Sequence, residues 1–314
     1  MYSQLTARNV LKYCMDLKKN ERFLIVSDPN KLDMADIFLK EAERITKNSA
    51  IILSKPALEN GQEPNRIIGD AMRLADVAIF ATTRSFSHTD ARRDAIKKGV
   101  RIASMPGITY NMLNSGGLTA DYRIVKKITE RVGQLFKDAE EVRVTTKNGT
   151  DIIMDVTNRK IFLDTGVYRK RGEWGNLPAG EVCMAPVEGT TNGTLIVDGS
   201  IMEKLTKPIE IKIKDGRIVE MSSGALEEKL RKAFKRTGKN SMQVAEFGIG
   251  TNPKAISRGI VLEDEKVLGT AHLAFGNNKS FGGKLDFKIH IDGVFKRPTI
   301  WIDNKKIMSD GVLI

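Results

Sequence analysis

The chain has 314 residues, 41% hydrophobic and 29% charged, a globular balance that favours two domains with apolar material for a core in each. Its 2 cysteines lie far apart, which excludes a disulfide framework, and no run reaches the ~20 apolar residues of a membrane helix. With no secretory pattern at the start, a cytoplasmic protein with no membrane partner is expected. The net charge of +12 is spread through both halves and aromatics make up 6%, which argues against nucleic acid as a partner.

Taken in chain order, the first half alternates strand and helix patterns. Phe23–Val26 reads as a buried strand, followed by a helix from Leu32 to Lys47 with Met34, Ile37, Phe38, Ala42 and Ile45 at helical spacing. A strand at Ala50–Leu53, a helix at Asn65–Ala75, a strand at Val77–Ala81, a helix at Thr89–Lys98 and a strand at Val100–Ala103 follow. The basic run Arg92, Arg93, Lys97, Lys98 and Arg101 is expected to form a solvated helix face. Such alternation implies right-handed crossovers and a doubly wound, mostly parallel sheet. The turn after the first strand, Ser27-Asp28-Pro29-Asn30-Lys31, has no glycine to bring the backbone against a pyrophosphate. Residues 1–138 are therefore expected to be a scaffold or substrate-recognition domain, not a cofactor domain.

A helix at Asp121–Phe136 bridges to a second region with a different pattern. Lys147-Asn148-Gly149-Thr150 and Lys214-Asp215-Gly216-Arg217 read as hairpin turns, since Asn-Gly and Asp-Gly tolerate positive φ. One helix, Ala225–Thr237, interrupts the strands with Leu226, Leu230 and Phe234 on one face. The fold class expected is thus α/β, with residues 139–314 forming an α+β, largely antiparallel domain.

Chemistry concentrates in this second region. The histidines are His88, His272 and His290, and no Gly-x-Ser-x-Gly elbow accompanies them. Cys14 falls on an amphipathic helix and Cys183 beside an acidic residue, both best read as packed thiols. In His290-Ile291-Asp292, a strand would place imidazole and carboxylate on the same face. His272 lies in the apolar segment Gly269–Gly276. Glu181 sits where a Pro/Gly loop enters an apolar strand, and Glu246 lies in the glycine-flanked Ala245–Gly250. Isolated buried carboxylates are costly, so each needs a partner. Two divalent cations would balance Glu181, Glu246, Glu265 and Asp292. Carboxylates mixed with imidazoles suit Zn, Mn, Co or Fe over Ca or Mg.

These segments resemble the aminopeptidase T/S family of metalloaminopeptidases. The match runs through Asn176–Val182, Ala245–Asn252, Asp264–Lys266 with Gly269–Gly276, and His290–Asp292. It extends into the first half through Leu24–Pro29, Ser87–Ala91 and Met105–Gly107. The resemblance implies that Glu181, Glu246, His272, His290 and Asp292 are metal ligands. It implies a sixth ligand at Glu265, with Glu263 and Asp264 as alternatives because the spacing to His272 is longer by two residues. It further implies a homodimer with two ions per chain (Zn, Co or Mn) and a metal-activated water that hydrolyses N-terminal residues from peptides. Glu246 or Glu265 would move the proton. Two departures are visible. A family tyrosine is replaced by Asn277-Asn278-Lys279, and the chain is shorter than the bacterial peptidases. A related branch resembles the dihydroxypyridine ring-cleaving dioxygenases, in which two histidines and an aspartate hold Fe(II). His272, His290 and Asp292 would supply that set for a small-molecule substrate.

Overall fold

The computed structural model describes residues 2–87, 89–238 and 241–314, so His88 lies outside the described residues. The chain divides into two compact units, Met1–Lys126 with Asp164–Ala179, and Lys127–Leu163 with Gly180–Ile314. This differs from the boundary at 138/139 read from the sequence. The helix Tyr122–Leu135 carries the chain across the division, and residues 164–179 return to the first unit.

In the first unit five parallel strands lie in the order Ser49–Leu53, Phe23–Ser27, Val77–Ala81, Arg101–Ser104 and Trp174–Asn176. Phe23–Ser27 and Val77–Ala81 are buried along their whole length, as strands covered on both faces must be. Between them run helices Leu32–Ala42, Arg66–Leu74 and Asp90–Lys97. Asn65 and Thr89 cap the last two, their side-chain oxygens accepting from the amides of Ile68 and Arg92. The fifth strand is three residues long and too short to show a period.

The basic run is a solvated face only in part: Arg93, Lys97 and Lys98 are exposed, as expected, but Arg92 and Arg101 are buried. The Arg92 guanidinium is buried 3.7 Å over the Trp174 ring, with Nε donating to the Ser87 carbonyl at 2.8 Å. Arg101 is buried on a strand and paired with Glu21 at 2.7 Å. A cation can stack on an indole face and lay its stem along apolar surface, which the charge pattern alone does not reveal.

The second unit contains two largely antiparallel sheets. One has eight strands, ordered Arg217–Met221, Ile209–Lys214, Asn192–Val197, Asp151–Asp155, Glu141–Thr145, Thr299–Ile302, Lys305–Ser309 and Val312–Leu313. Both expected hairpin turns are present, with Gly149 at φ +106°, Asp215 at +48° and Gly216 at +70°. The other sheet has seven strands. His290–Lys296, Thr270–Gly276, Val244–Gly250 and Glu181–Met184 lie side by side at its centre. Alternate residues of these strands, among them Val182, Phe247, Ile249, Leu273, Phe275, Ile291 and Phe295, join one hydrophobic core with Val142, Ile152, Leu195 and Ile300 of the eight-stranded sheet. Helix Ala225–Thr237 adds Leu230 and Phe234 to that core. Among the described residues no helix is long and apolar enough to cross a membrane.

Candidate metal centre

The face of the seven-stranded sheet opposite the core carries the polar residues singled out in the sequence. Antiparallel register places Glu246 opposite Ala274, Gly248 opposite His272 and Gly250 opposite Glu181. On the far side of Thr270–Gly276, Ala274 lies opposite Asp292 and Gly276 opposite His290. Paired residues share a face, so Glu181, Glu246, His272, His290 and Asp292 all project to one side.

The small residues between them make room. A β-carbon on Gly248 would run into the His272 imidazole, and one on Gly250 into the Val267 carbonyl oxygen. The first glycine thus lets the imidazole lie flat across the neighbouring strand. The second admits the backbone that follows Glu265 and Lys266.

The side chains converge. His272 Nε2 lies 3.5 Å from Glu181 Oε2 and 3.6 Å from Glu246 Oε1. His290 Nε2 lies 3.1 Å from Glu246 Oε2 and 3.2 Å from Asp292 Oδ1. Three overlapping sets of ligand atoms lie within 4.8 Å of one another: Glu181, Glu246 and His272; Glu246, His290 and Asp292; Glu265, His272 and Asp292. The two histidines are linked through Asp292 and Glu246, each of which shares a set with both.

Glu265 is the acid of its segment that belongs to the cluster; Glu263 and Asp264 are spent elsewhere. The Asp264 carboxylate accepts from the amides of Arg258 at 2.7 Å and Gly259 at 2.9 Å. Glu263 accepts from the Ile256 amide at 3.2 Å and pairs with Arg258 at 3.3 Å. Glu265 directly follows the short helix Val261–Asp264, its amide donating to the Val261 carbonyl at 3.0 Å.

Lys266 was not anticipated. It is fully buried, and its Nζ lies 2.5 Å from Glu181 Oε1 and 2.7 Å from Glu265 Oε1. A lysine next to two acids normally reads as surface charge. The available signal was that this triplet is followed closely by the apolar run holding His272.

Asn277 and Asn278, at the expected tyrosine position, organise the surroundings. The Asn277 carbonyl accepts from His290 Nδ1 at 2.8 Å. A carbonyl can only accept, so Nδ1 carries a proton and Nε2 is the nitrogen that faces Glu246 and Asp292. Buried Asn278 donates to Glu188 at 2.9 Å and accepts from the Leu285 amide at 2.7 Å. Arg159 also pairs with Glu188. The ring of Phe281 lies 5.6 Å from that of His290, at an interplanar angle of 31°, and 5.6 Å from Phe162.

Burial and crowding shift the titrations. Burial pulls the His272 pKa down, but the Glu246 hydrogen bond and the charges of Glu181, Glu265 and Glu246 lift it to about 9. His290 is likewise lowered by burial and raised, well above the ordinary value, by Asp292 and Glu246. Burial works to raise Glu246, yet hydrogen bonds from both histidines hold it below the usual carboxylate range. Glu265 goes the other way. Burial, then the charges of Asp292 and Glu181, lift it to about 8 against the lowering effect of Lys266. Cys183 is a buried thiol pushed well up by burial and by Glu246 and Glu181, consistent with a packed, unreactive group.

A family model described as "NicX: 2,5-dihydroxypyridine 5,6-dioxygenase" matches residues 7–314. A 2,5-dihydroxypyridine 5,6-dioxygenase of Pseudomonas putida is 23% identical over 262 residues, which cover 78% of this chain and 72% of that protein. The structure of 2,5-dihydroxypyridine dioxygenase from Pseudomonas putida KT2440 superposes with a TM-score of 0.81 at 18% identity, covering 99% of this chain and 96% of that one. Wild-type AmpT from Thermus thermophilus superposes with a TM-score of 0.72 at 14% identity, covering 100% and 99%. The two superpositions are likenesses of fold. They fit the expected α/β class with its parallel and antiparallel sheets.

Proposed function

The chain belongs to the family of that dihydroxypyridine dioxygenase model, and from this premise we propose that it is a metal-dependent dioxygenase that opens a dihydroxylated aromatic ring, with 2,5-dihydroxypyridine as the first substrate to try. The names of the relatives favour the ring-cleaving branch over the peptidase first expected from the sequence.

The observation that carries the metal reading is the spacing of the donors. Ligand atoms each ~2.1 Å from one ion, at tetrahedral or octahedral positions, lie roughly 3.0–3.4 Å apart. The His290 contacts with Glu246 and Asp292, at 3.1 and 3.2 Å, fall in that range, and those of His272 with Glu181 and Glu246, at 3.5 and 3.6 Å, lie just beyond it. Charge-assisted hydrogen bonds between such groups are normally about 2.7–2.9 Å. Buried Glu181 Oε2, 3.5 Å from His272 Nε2, also has no hydrogen-bond partner among the described residues. Two imidazoles and a carboxylate with open positions suit non-haem Fe(II). His272, His290 and Asp292 would hold the ion, and bound iron would supply the one-electron chemistry that lets oxygen react with a closed-shell ring.

The remaining roles fall to the protein. The Asn277 carbonyl fixes the His290 tautomer and ring orientation, as outer partners of metal-ligating histidines do. Glu246, held as a carboxylate against both histidines, can accept a hydrogen bond from a ring hydroxyl. Phe281 offers an aromatic face beside His290 for a flat substrate to pack on.

Anaerobic loading with Fe(II), followed by oxygen and 2,5-dihydroxypyridine, tests the proposal. Loss of ring absorbance with one oxygen consumed per ring is expected. Release of N-terminal residues from aminoacyl-nitroanilides with Zn, Co or Mn, without ring opening, would return the chain to the peptidase reading.

A further inference from the structure

We propose that Lys266 is a built-in cation that takes the place of a second metal ion, so that the centre holds one divalent ion per chain. This rests on the metal-binding part of the reading above, and not on ring cleavage.

The three sets of ligand atoms decide where ions can sit. Two of them include a carboxylate that Lys266 holds through its Oε1: Glu181, whose Oε2 is the oxygen turned to His272, in one, and Glu265 in another. Only the set of Glu246, His290 and Asp292 contains neither, and His272 adjoins it, its Nε2 3.6 Å from Glu246 Oε1 and its ligand atom in a set with Asp292. The Lys266 Nζ stands 2.5 and 2.7 Å from its two carboxylate oxygens, so it occupies the point where those acids would share an ion. A divalent ion at about 2.0–2.2 Å from the same oxygens would be forced against the ammonium group. Two like charges at that separation repel strongly, and the buried setting gives little screening.

Burial also argues for a fixed role. Lys266 is 1% exposed, and a lysine is almost never fully buried unless paired. Its backbone is pinned as well: the Lys266 amide donates to the Glu263 carbonyl at 3.0 Å, and its carbonyl accepts from the Asn252 amide at 2.8 Å. The ammonium group is therefore delivered by a rigid turn, and does not reach in from a flexible surface arm. The free side left to a metal is bounded by His272, His290, Asp292 and Glu246.

The test counts ions in full-length protein stripped of metal and equilibrated with Zn(II), then Co(II). The wild type should bind one ion per chain. Lys266→Met should bind two, with a second thermal stabilisation step on adding Zn(II), while Lys266→Arg should remain at one. Two ions in the wild type, or one in well-folded Lys266→Met, would overturn the proposal. If Lys266→Met does not fold, Glu265→Gln serves in its place. It should change the Kd of the single ion by less than about threefold, and a loss of about tenfold or more would refute the idea. The Co(II) visible spectrum should be unchanged in Glu265→Gln; a changed spectrum would place Glu265 in the ligand set and refute it too. These readouts need no turnover. One ion without ring opening would sink the proposed function alone, whereas two ions with ring opening would sink this inference alone.

Discussion

The two faces of the seven-stranded sheet are built from the same strands yet follow opposite rules. On one face Phe247, Ile249, Leu273, Phe275 and Ile291 interdigitate in the core. On the other, one residue along, Glu246 and His272 alternate with Gly248 and Ala274 on their strands, and His290 and Asp292 follow each other on the next. Both faces are largely buried, so burial alone does not separate them. What differs is the partner each side chain needs. Apolar groups are satisfied by contact, whereas clustered carboxylates and imidazoles are satisfied only by protons or a cation.

Substitutions on the two faces should therefore fail differently. Phe247→Ala should cost about 3–5 kcal/mol of stability, read by denaturant unfolding, while the folded fraction keeps its metal stoichiometry. Asp292→Ala should do the reverse. Metal affinity and ring opening should fall by about 100-fold or more, and the rise in Tm on metal addition should disappear. If Asp292→Ala instead unfolds the chain while binding metal normally, the distinction between the faces collapses.

Gly248→Ala sharpens the comparison, because it adds one methyl group to the polar face where the His272 ring lies. A loss of about tenfold in metal affinity with a stability cost of about 1–2 kcal/mol is expected. Calorimetric metal titration beside thermal unfolding separates the two effects. Unchanged affinity would mean that His272 is not held where the structure puts it.

The smallest effect concerns Glu188. Burial raises its pKa, but the Lys284 amide, Asn278 and Arg159 overcome that and bring it down to about 2. Its folded pKa lies below the ordinary carboxylate value, so it stabilises the fold above about pH 4.3. That contribution is lost as the pH falls towards 2. Glu188→Gln should cost about 1 kcal/mol at neutral pH, allowing for partial exposure, and flatten the stability profile between pH 5 and 2. A parallel acid profile in wild type and variant would remove this anchor.

The legible parts of the molecule were those with local signals. Glu246, His272 and the His290–Asp292 pair stand out as polar residues in apolar, glycine-spaced strands, and Ala225–Thr237 shows its helical period plainly. Long-range consequences were hidden. Trp174–Asn176 has no period of its own and becomes a strand only by pairing with Arg101–Ser104. Glu263, Asp264 and Glu265 are chemically alike in sequence, and a turn of backbone decides which of them faces His272. Charges also read as exposed by default. That is why Arg92, stacked on Trp174, and Lys266, clamped between Glu181 and Glu265, were not expected inside.

Anomalous diffraction at the iron edge from crystals grown with Fe(II) under anaerobic conditions tests the central claim most directly. One anomalous peak per chain is predicted, in contact with His272, His290 and Asp292, with Lys266 still between Glu181 and Glu265. Two peaks, or a peak between Glu181 and Glu265 with Lys266 turned away, would contradict it.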